Sequence, residues 1–299
     1  MSKIKTILSD PIDASTVRDY FSLLKPRVMS LVIFTGFIGL YIAPGYIHPI
    51  IGFIAVLCIA VGSGAAGAIN MWYERDIDCL MERTKNRPLP KQVVHPEEAL
   101  SFGVGLSFVS TIIMGLFVNL VAASLLVVAI LFYVFIYTIW LKRVTPQNIV
   151  IGGAAGALPP MIGWAAVTGN ISLESFVLFL IIFLWTPPHF WALSLYKCND
   201  YTNAGVPMMP VVKGIKHTQL QILIYSAILF FATILPYYIG MFGKVYLFTA
   251  LILGVIFMYL AYLVYYDENY KSAPKLFVYS IIYLFLLYAV MPFDKLLMS

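Results

Sequence analysis

The sequence predicts an all-α polytopic membrane protein: a helical bundle of about nine transmembrane helices. Three observations carry that prediction. Of 299 residues, 61% are hydrophobic and only 11% are charged, where a soluble domain carries about 25% charged residues, and the mean hydropathy is +0.90. The apolar residues fall in stretches of about 20, the length that crosses the hydrocarbon core. Within each stretch hydrophobicity is continuous, which favours helices over the alternating strands of a barrel. The same composition excludes a disordered chain. Three cysteines, an odd and sparse count, exclude a disulfide scaffold.

The nine stretches are 27–45, 49–72, 98–118, 120–141, 149–168, 172–196, 218–241, 245–266 and 275–294. The uncharged run 99–141 is too long for one span, and Asn119 near its middle marks a hairpin between two. The run 144–173 is polar at Thr145, Pro146, Gln147 and Asn148, and again at Thr168–Asn170, so it holds one span. With nine spans, seventeen of the nineteen Lys and Arg fall on the side of the N-terminus, and only Lys244 and Lys295 on the other. The positive-inside rule then puts the N-terminus in the cytoplasm and the C-terminus outside. The net charge of +5 is thereby a topology signal, with no nucleic-acid partner implied. Residues 1–25 form a cytoplasmic segment with Asp10, Asp13 and Asp19. Those acids do not fit a transit peptide, and no early apolar core fits a secretory signal. We expect an unprocessed, bacterial-type protein of the inner (plasma) membrane. Residues 26–299 form one transmembrane domain with two longer cytoplasmic loops, 73–97 and 197–217.

The first loop opens with acids in register. If the second helix continues past its apolar part, Asn70, Glu74 and Asp78 stand at i, i+4 and i+8 and share one face, while Asp76 points elsewhere. One oxygen ligand per turn suits a hard divalent cation, and Mg²⁺ takes one or two carboxylates together with substrate phosphate oxygens. Arg83, Lys85 and Arg87 follow, and suit a diphosphate. The bland alternative is a solvated loop of weak ion pairs. Against it stands Asn70, an amide at the end of an apolar Gly-rich helix that topology does not require.

The sixth span contains Pro187, Pro188 and His189, and runs into Lys197, Asp200 and a turn at Gly205–Pro210. A Pro-Pro pair is expected to break the helix locally, exposing backbone groups to a cavity. His189 is either a neutral histidine bonded to a neighbouring helix or a functional group. Lys142, Arg143 and the polar run 145–148 lie on the same side. Cys58, Cys79 and Cys198 have no metal or redox spacing.

The pattern Asn70, Glu74, Asp76, Asp78, followed by Met81–Thr84 and Arg87-Pro88, resembles the first acidic motif of the UbiA-type intramembrane prenyltransferases. The segments 185–192, 200–210 and 141–148 resemble those of its haem-modifying branch. The likeness covers about residues 20–295. Two departures stand out: the wider family has Asp in place of Glu74, and a second motif rich in Asp where only Asp200 remains here. His189 sits where other members tend to have an acid.

The resemblance implies that the nine spans form a bundle around a central cavity open to lipid at one side, with farnesyl diphosphate as donor, haem b as acceptor and haem O as product. It implies Mg²⁺ as cofactor on Asn70, Glu74, Asp78 and Asp200, with Arg83, Lys85, Arg87 and Lys197 on the diphosphate. His189 and His217, with Lys142 and Arg143, are the candidates to meet haem, and His189 joins the catalytic set as iron ligand or base. The lipid bilayer and a haem A synthase or terminal oxidase assembly are the implied partners. A hydroxybenzoate prenyltransferase is disfavoured by the lone acid of the second motif. A transporter is disfavoured because the acids cluster at the ends of spans rather than at the midplane. A haem-binding scaffold without catalysis would lack metal-dependent release of diphosphate.

Overall fold

The computed structural model describes residues 15–298. Lys3, Lys5, Asp10 and Asp13, used above for topology and targeting, lie outside the described residues.

Helix α1 (Val17–Leu23) starts at Thr16, whose hydroxyl and backbone N–H both donate to Asp19 in a capping box. The chain then bends by 59° into α2 (Pro26–Ile42). Lys25, at the bend, has φ +53°, a left-handed conformation that is uncommon for a residue with a side chain. Next come α3 (Pro49–Tyr73), the short α4 (Arg75–Leu80) and α5 (Pro96–Phe117). Helix α6 (Leu120–Leu131) widens into a π-helical stretch, Phe132–Trp140, and ends in a tight turn at Leu141–Arg143. Asn119 makes the expected hairpin: its Oδ1 caps α6 at Ala122 N–H, and its Nδ2 donates to the carbonyls of Ala165 and Ala166.

The rest are α7 (Asn148–Ala157), α8 (Pro159–Thr168), α9 (Leu173–Tyr196), α10 (Cys198–Asn203), α11 (Met209–Lys213), α12 (Ile215–Ala232), α13 (Leu235–Tyr238), α14 (Lys244–Tyr266) and α15 (Ala273–Met298). Among the described residues eight stretches are long and apolar enough to cross a membrane, and the bent α1–α2 pair makes a ninth. The expected spans are met within a few residues at each end.

One expectation fails. Helix α9 runs unbroken through Pro187 and Pro188. Helices α7 and α8 meet at Leu158, which keeps helical angles (φ −70°, ψ −29°), and together form one span, Asn148–Thr168. A proline inside a helix removes a hydrogen bond, but neighbouring helices and hydroxyl groups can hold the backbone in place. Trp185 to His189 are all buried, and Thr186 Oγ1 donates to the Ile182 carbonyl at 2.8 Å. At Pro159 the missing N–H falls at a helix start, where it costs nothing.

Two apolar clusters fill the bundle. One joins α2, α9, α12, α14 and α15 around Trp191, Tyr246, Tyr283 and Tyr288. The other joins α3, α5, α6 and α8 around Ile59, Met114, Leu126 and Ile162. Helices α2 and α8 approach closely through glycines: a Cβ on Gly163 would overlap the Gly36 carbonyl, and one on Gly39 the Pro160 backbone. Small residues at such crossings let backbones touch, the usual driving contact where lipid removes the hydrophobic one. Apolar side chains such as Phe53, Leu116, Phe231 and Phe248 face outward.

Contacts sort the loops as nine spans require. Lys25, Asn70–Asp78, Arg87, Lys142 and Arg143 meet at one end. Ile42, Trp164, Ser172, Phe242 and Lys295 line a hollow of about 500 Å³ at the other. A small apolar cluster of Ile77 and Met81 with Ile149, Tyr201, Val206 and Met208 clamps the two long loops together.

Candidate active site

Asn70, Glu74 and Asp78 do share one face, although the helix is not continuous. Helix α3 ends at Tyr73 and Glu74 caps it at φ −95°, ψ 8°. Helical bonds still bridge the junction, from Glu74 N–H to the Asn70 carbonyl at 3.0 Å and from Asp78 N–H to the Glu74 carbonyl at 2.8 Å. The three side chains are only 2–3% exposed. Asp76 points away, as expected, and takes two bonds from Arg143 at 2.8 and 3.0 Å. The Arg143 guanidinium holds the Asp76 carboxyl below its usual range.

Each of the three buried groups meets a cation. Lys25 Nζ lies 2.5 Å from Asn70 Oδ1. Lys142 Nζ lies 2.5 Å from Glu74 Oε2, and Arg87 Nη1 2.7 Å from Asp78 Oδ2. The Asn70 amide is oriented from its other end: Nδ2 donates to Thr138 Oγ1 at 3.0 Å, and that hydroxyl donates to the Tyr133 carbonyl at 2.8 Å. The π-helical stretch thus places Thr138 beneath Asn70 and carries Lys142 to Glu74. Thr84 Oγ1 donates to the Asp78 carbonyl at 2.9 Å and ties the loop down.

Three basic side chains thus face two carboxylates, and burial pushes the pKa of one of them, Lys25, down to about 7. Burying ions without compensation is costly, so the surplus positive charge favours an anion in their midst. One oxygen, Glu74 Oε1, is buried with no hydrogen-bond partner, an omission that ordinarily costs about 1–3 kcal/mol. Two carboxylates and an amide oxygen, one carboxylate oxygen unused, form a hard donor set of the kind Mg²⁺ uses with substrate phosphates. The residues present therefore fit that ion. Among the described residues no group of three or more His, Cys, Asp or Glu is placed to hold a metal, so Asp200 does not complete a carboxylate triad with Glu74 and Asp78. Its carboxylate is half-buried and has no partner among the described residues.

The other expected residues separate. Arg87 is inside. Lys85 pairs with Glu82 on the exposed loop at 2.6 Å, and Arg83 is exposed. Lys197 ends α9 and lies over the Tyr196 ring. His217 is exposed on α12. Lys142 and Arg143 are taken up by Glu74 and Asp76. His189 is 8% exposed, stacked between Trp185 at 4.3 Å and Phe277 at 4.6 Å, with Nδ1 2.6 Å from Ser280 Oγ. The three cysteines are unpaired.

Sequence reasoning counted Lys25 only as a topology residue and missed Thr138 and Ser280. A lysine next to Pro26 at the head of a span was the one available hint. Neither hydroxyl stands out from its apolar run.

The sequence profile of the UbiA prenyltransferase family matches residues 32–288. A protoheme IX farnesyltransferase of Rickettsia bellii is 54% identical over 282 residues, covering 94% of this chain and 94% of its own. Among solved structures, a digeranylgeranylglyceryl phosphate synthase superposes with a TM-score of 0.78 at 21% identity, over 93% of this chain and 98% of that one. A UbiA homologue from Archaeoglobus fulgidus, bound to GPP and Mg²⁺, superposes with a TM-score of 0.68 at 16% identity, over 91% of this chain and 100% of that one. These two structures share the fold.

Proposed function

The chain belongs to the UbiA prenyltransferase family, and on that premise we propose that it transfers a farnesyl group from farnesyl diphosphate to a vinyl group of haem b, with addition of water, giving haem O and diphosphate. The observation that carries the site assignment is the buried Asn70–Glu74–Asp78 face, with an unused carboxylate oxygen and more cations than acids around it.

Asn70, Glu74 and Asp78 would hold Mg²⁺, which neutralises charge on the leaving diphosphate. Lys25, Lys142 and Arg87, which lie on these oxygens in the structure, would stabilise the diphosphate as its bond to the allylic carbon breaks. Arg83 and Lys197, at the mouth, add positive charge. Asp200 stands outside this donor set in the structure, on a loop that the Ile77–Tyr201 packing keeps beside the first, and would add its carboxylate only once the substrate is bound. The vinyl carbon of haem bonds to the allylic carbon. The cation left on the porphyrin side takes up water, and a proton is released. His189 faces haem.

The reading extends to a multi-pass protein of a bacterial inner membrane with a cytoplasmic N-terminus, supported by the lysine and arginine asymmetry. A haem A synthase or a terminal oxidase assembly would receive the product. The test is expression in membranes followed by haem extraction and mass spectrometry. A farnesylated, hydrated haem in cells carrying the intact protein supports the reading; unmodified haem b alone overturns it.

A further inference from the structure

We infer that Ser280, on the last span, is a positioning residue that fixes which nitrogen of His189 carries the hydrogen, leaving Nε2 as a bare lone pair for the haem iron. The inference rests on the reading above that His189 faces haem.

A serine hydroxyl has one hydrogen to donate. Ser280 Oγ lies 2.6 Å from the Phe277 carbonyl, which can only accept, and we assign the hydroxyl hydrogen to that contact. With this assignment Nδ1 donates across the 2.6 Å between the same oxygen and His189. A neutral imidazole has a single N–H, so Nε2 keeps its lone pair, and it has no hydrogen-bond partner among the described residues. The cage around the ring is apolar and offers no acid to balance an imidazolium.

The ring is also held in place. Trp185 stacks on one side at an interplanar angle of 17° and Phe277 at 23°, while Phe190 meets its edge at 5.1 Å. Trp185 Nε1 donates to the Ser280 carbonyl at 2.8 Å and pins the serine backbone to α9. A histidine whose second nitrogen is bonded in this manner has its tautomer and orientation set for metal ligation by the first. Iron is part of the acceptor substrate here. Helix α15 thus contributes to the site from outside the two motif loops.

The test uses the full chain in detergent with ¹⁵N-histidine. The chain has four histidines, and His189→Gln identifies the relevant signal. Nitrogen shifts should show the hydrogen on Nδ1 of His189 in the substrate-free protein. Ser280→Ala should move it to Nε2 and weaken haem b binding, followed by the Soret band, by about 10–100-fold, with farnesyl diphosphate binding unchanged. Ser280→Thr, which keeps the hydroxyl, should restore both tautomer and affinity. A wild-type ring protonated at Nε2 overturns the proposal, as does Ser280→Ala with unchanged tautomer and haem affinity. If the tautomer moves as expected but neither Ser280→Ala nor His189→Gln alters haem binding, the haem-facing reading of His189 fails, and the positioning role with it.

Discussion

Lys142 reaches from the end of the widened α6 to Glu74, 68 residues earlier, and closes a buried ion pair at 2.5 Å. Glu74 is 2% exposed, and its second oxygen has no partner. Removing one member of a buried pair leaves an uncompensated charge, at about 3–5 kcal/mol. Lys142→Met should therefore lower the melting temperature in detergent sharply. Added Mg²⁺ should restore part of the loss by taking the place of the ammonium. A melting temperature indifferent to Mg²⁺ in this variant would argue that Glu74 does not hold the ion.

Thr138 sets the direction of the Asn70 amide. Thr138→Val keeps the side-chain shape and removes the hydroxyl, so Asn70 Oδ1 is no longer held toward Lys25. Such supporting partners affect metal affinity by about 10–100-fold. The Mg²⁺ concentration for half-maximal turnover should rise by at least about tenfold, with the rate at saturation largely kept. Titrating activity against Mg²⁺ checks this.

Asp78 and Asp200 should part company on stability. Asp78 is paired with Arg87 in the interior, so Asp78→Asn should lower both melting temperature and turnover. Asp200 has no partner among the described residues, so Asp200→Asn should leave the melting temperature in place and lower turnover alone. Calorimetry and a product assay on both variants separate the two effects.

Asp76 is the control. Its side chain is 61% exposed and bonded to Arg143. The Arg143 hydrogen bonds depress its folded pKa below 3.8, so its contribution is present above that value and fades only as pH falls through the lowered folded pKa. Across pH 6–8 the pair stays intact. Asp76→Asn should cost less than about 1 kcal/mol, as exposed pairs do, and leave turnover near wild type. A large loss of turnover would put Asp76 in the metal site, contrary to its place outside it.

The spans and the acidic face were legible because both are local. Hydropathy over about 20 residues needs no partner, and Asn70, Glu74 and Asp78 show their register through helical spacing alone. What completes the site is not local. Lys25 lies 45 residues from Asn70, and Lys142 68 from Glu74. His189 meets Ser280 across 91 positions. No periodicity in one segment reports the other. Pro187-Pro188 was misjudged for a related reason: whether a helix runs through a proline pair is decided by the packing around it, here the buried surroundings of α9, and no local pattern reports that.

The most direct test is turnover of Asp78→Asn and Asn70→Ala at saturating Mg²⁺, with farnesyl diphosphate and haem b supplied and the haem products resolved by chromatography and mass spectrometry. The proposed Mg²⁺ and diphosphate site predicts farnesylated haem from the wild type, its loss on chelation, and turnover lowered by at least about a hundredfold in both variants, the scale of losing one stabilising contact to developing charge. Near-normal rates in both would contradict the account.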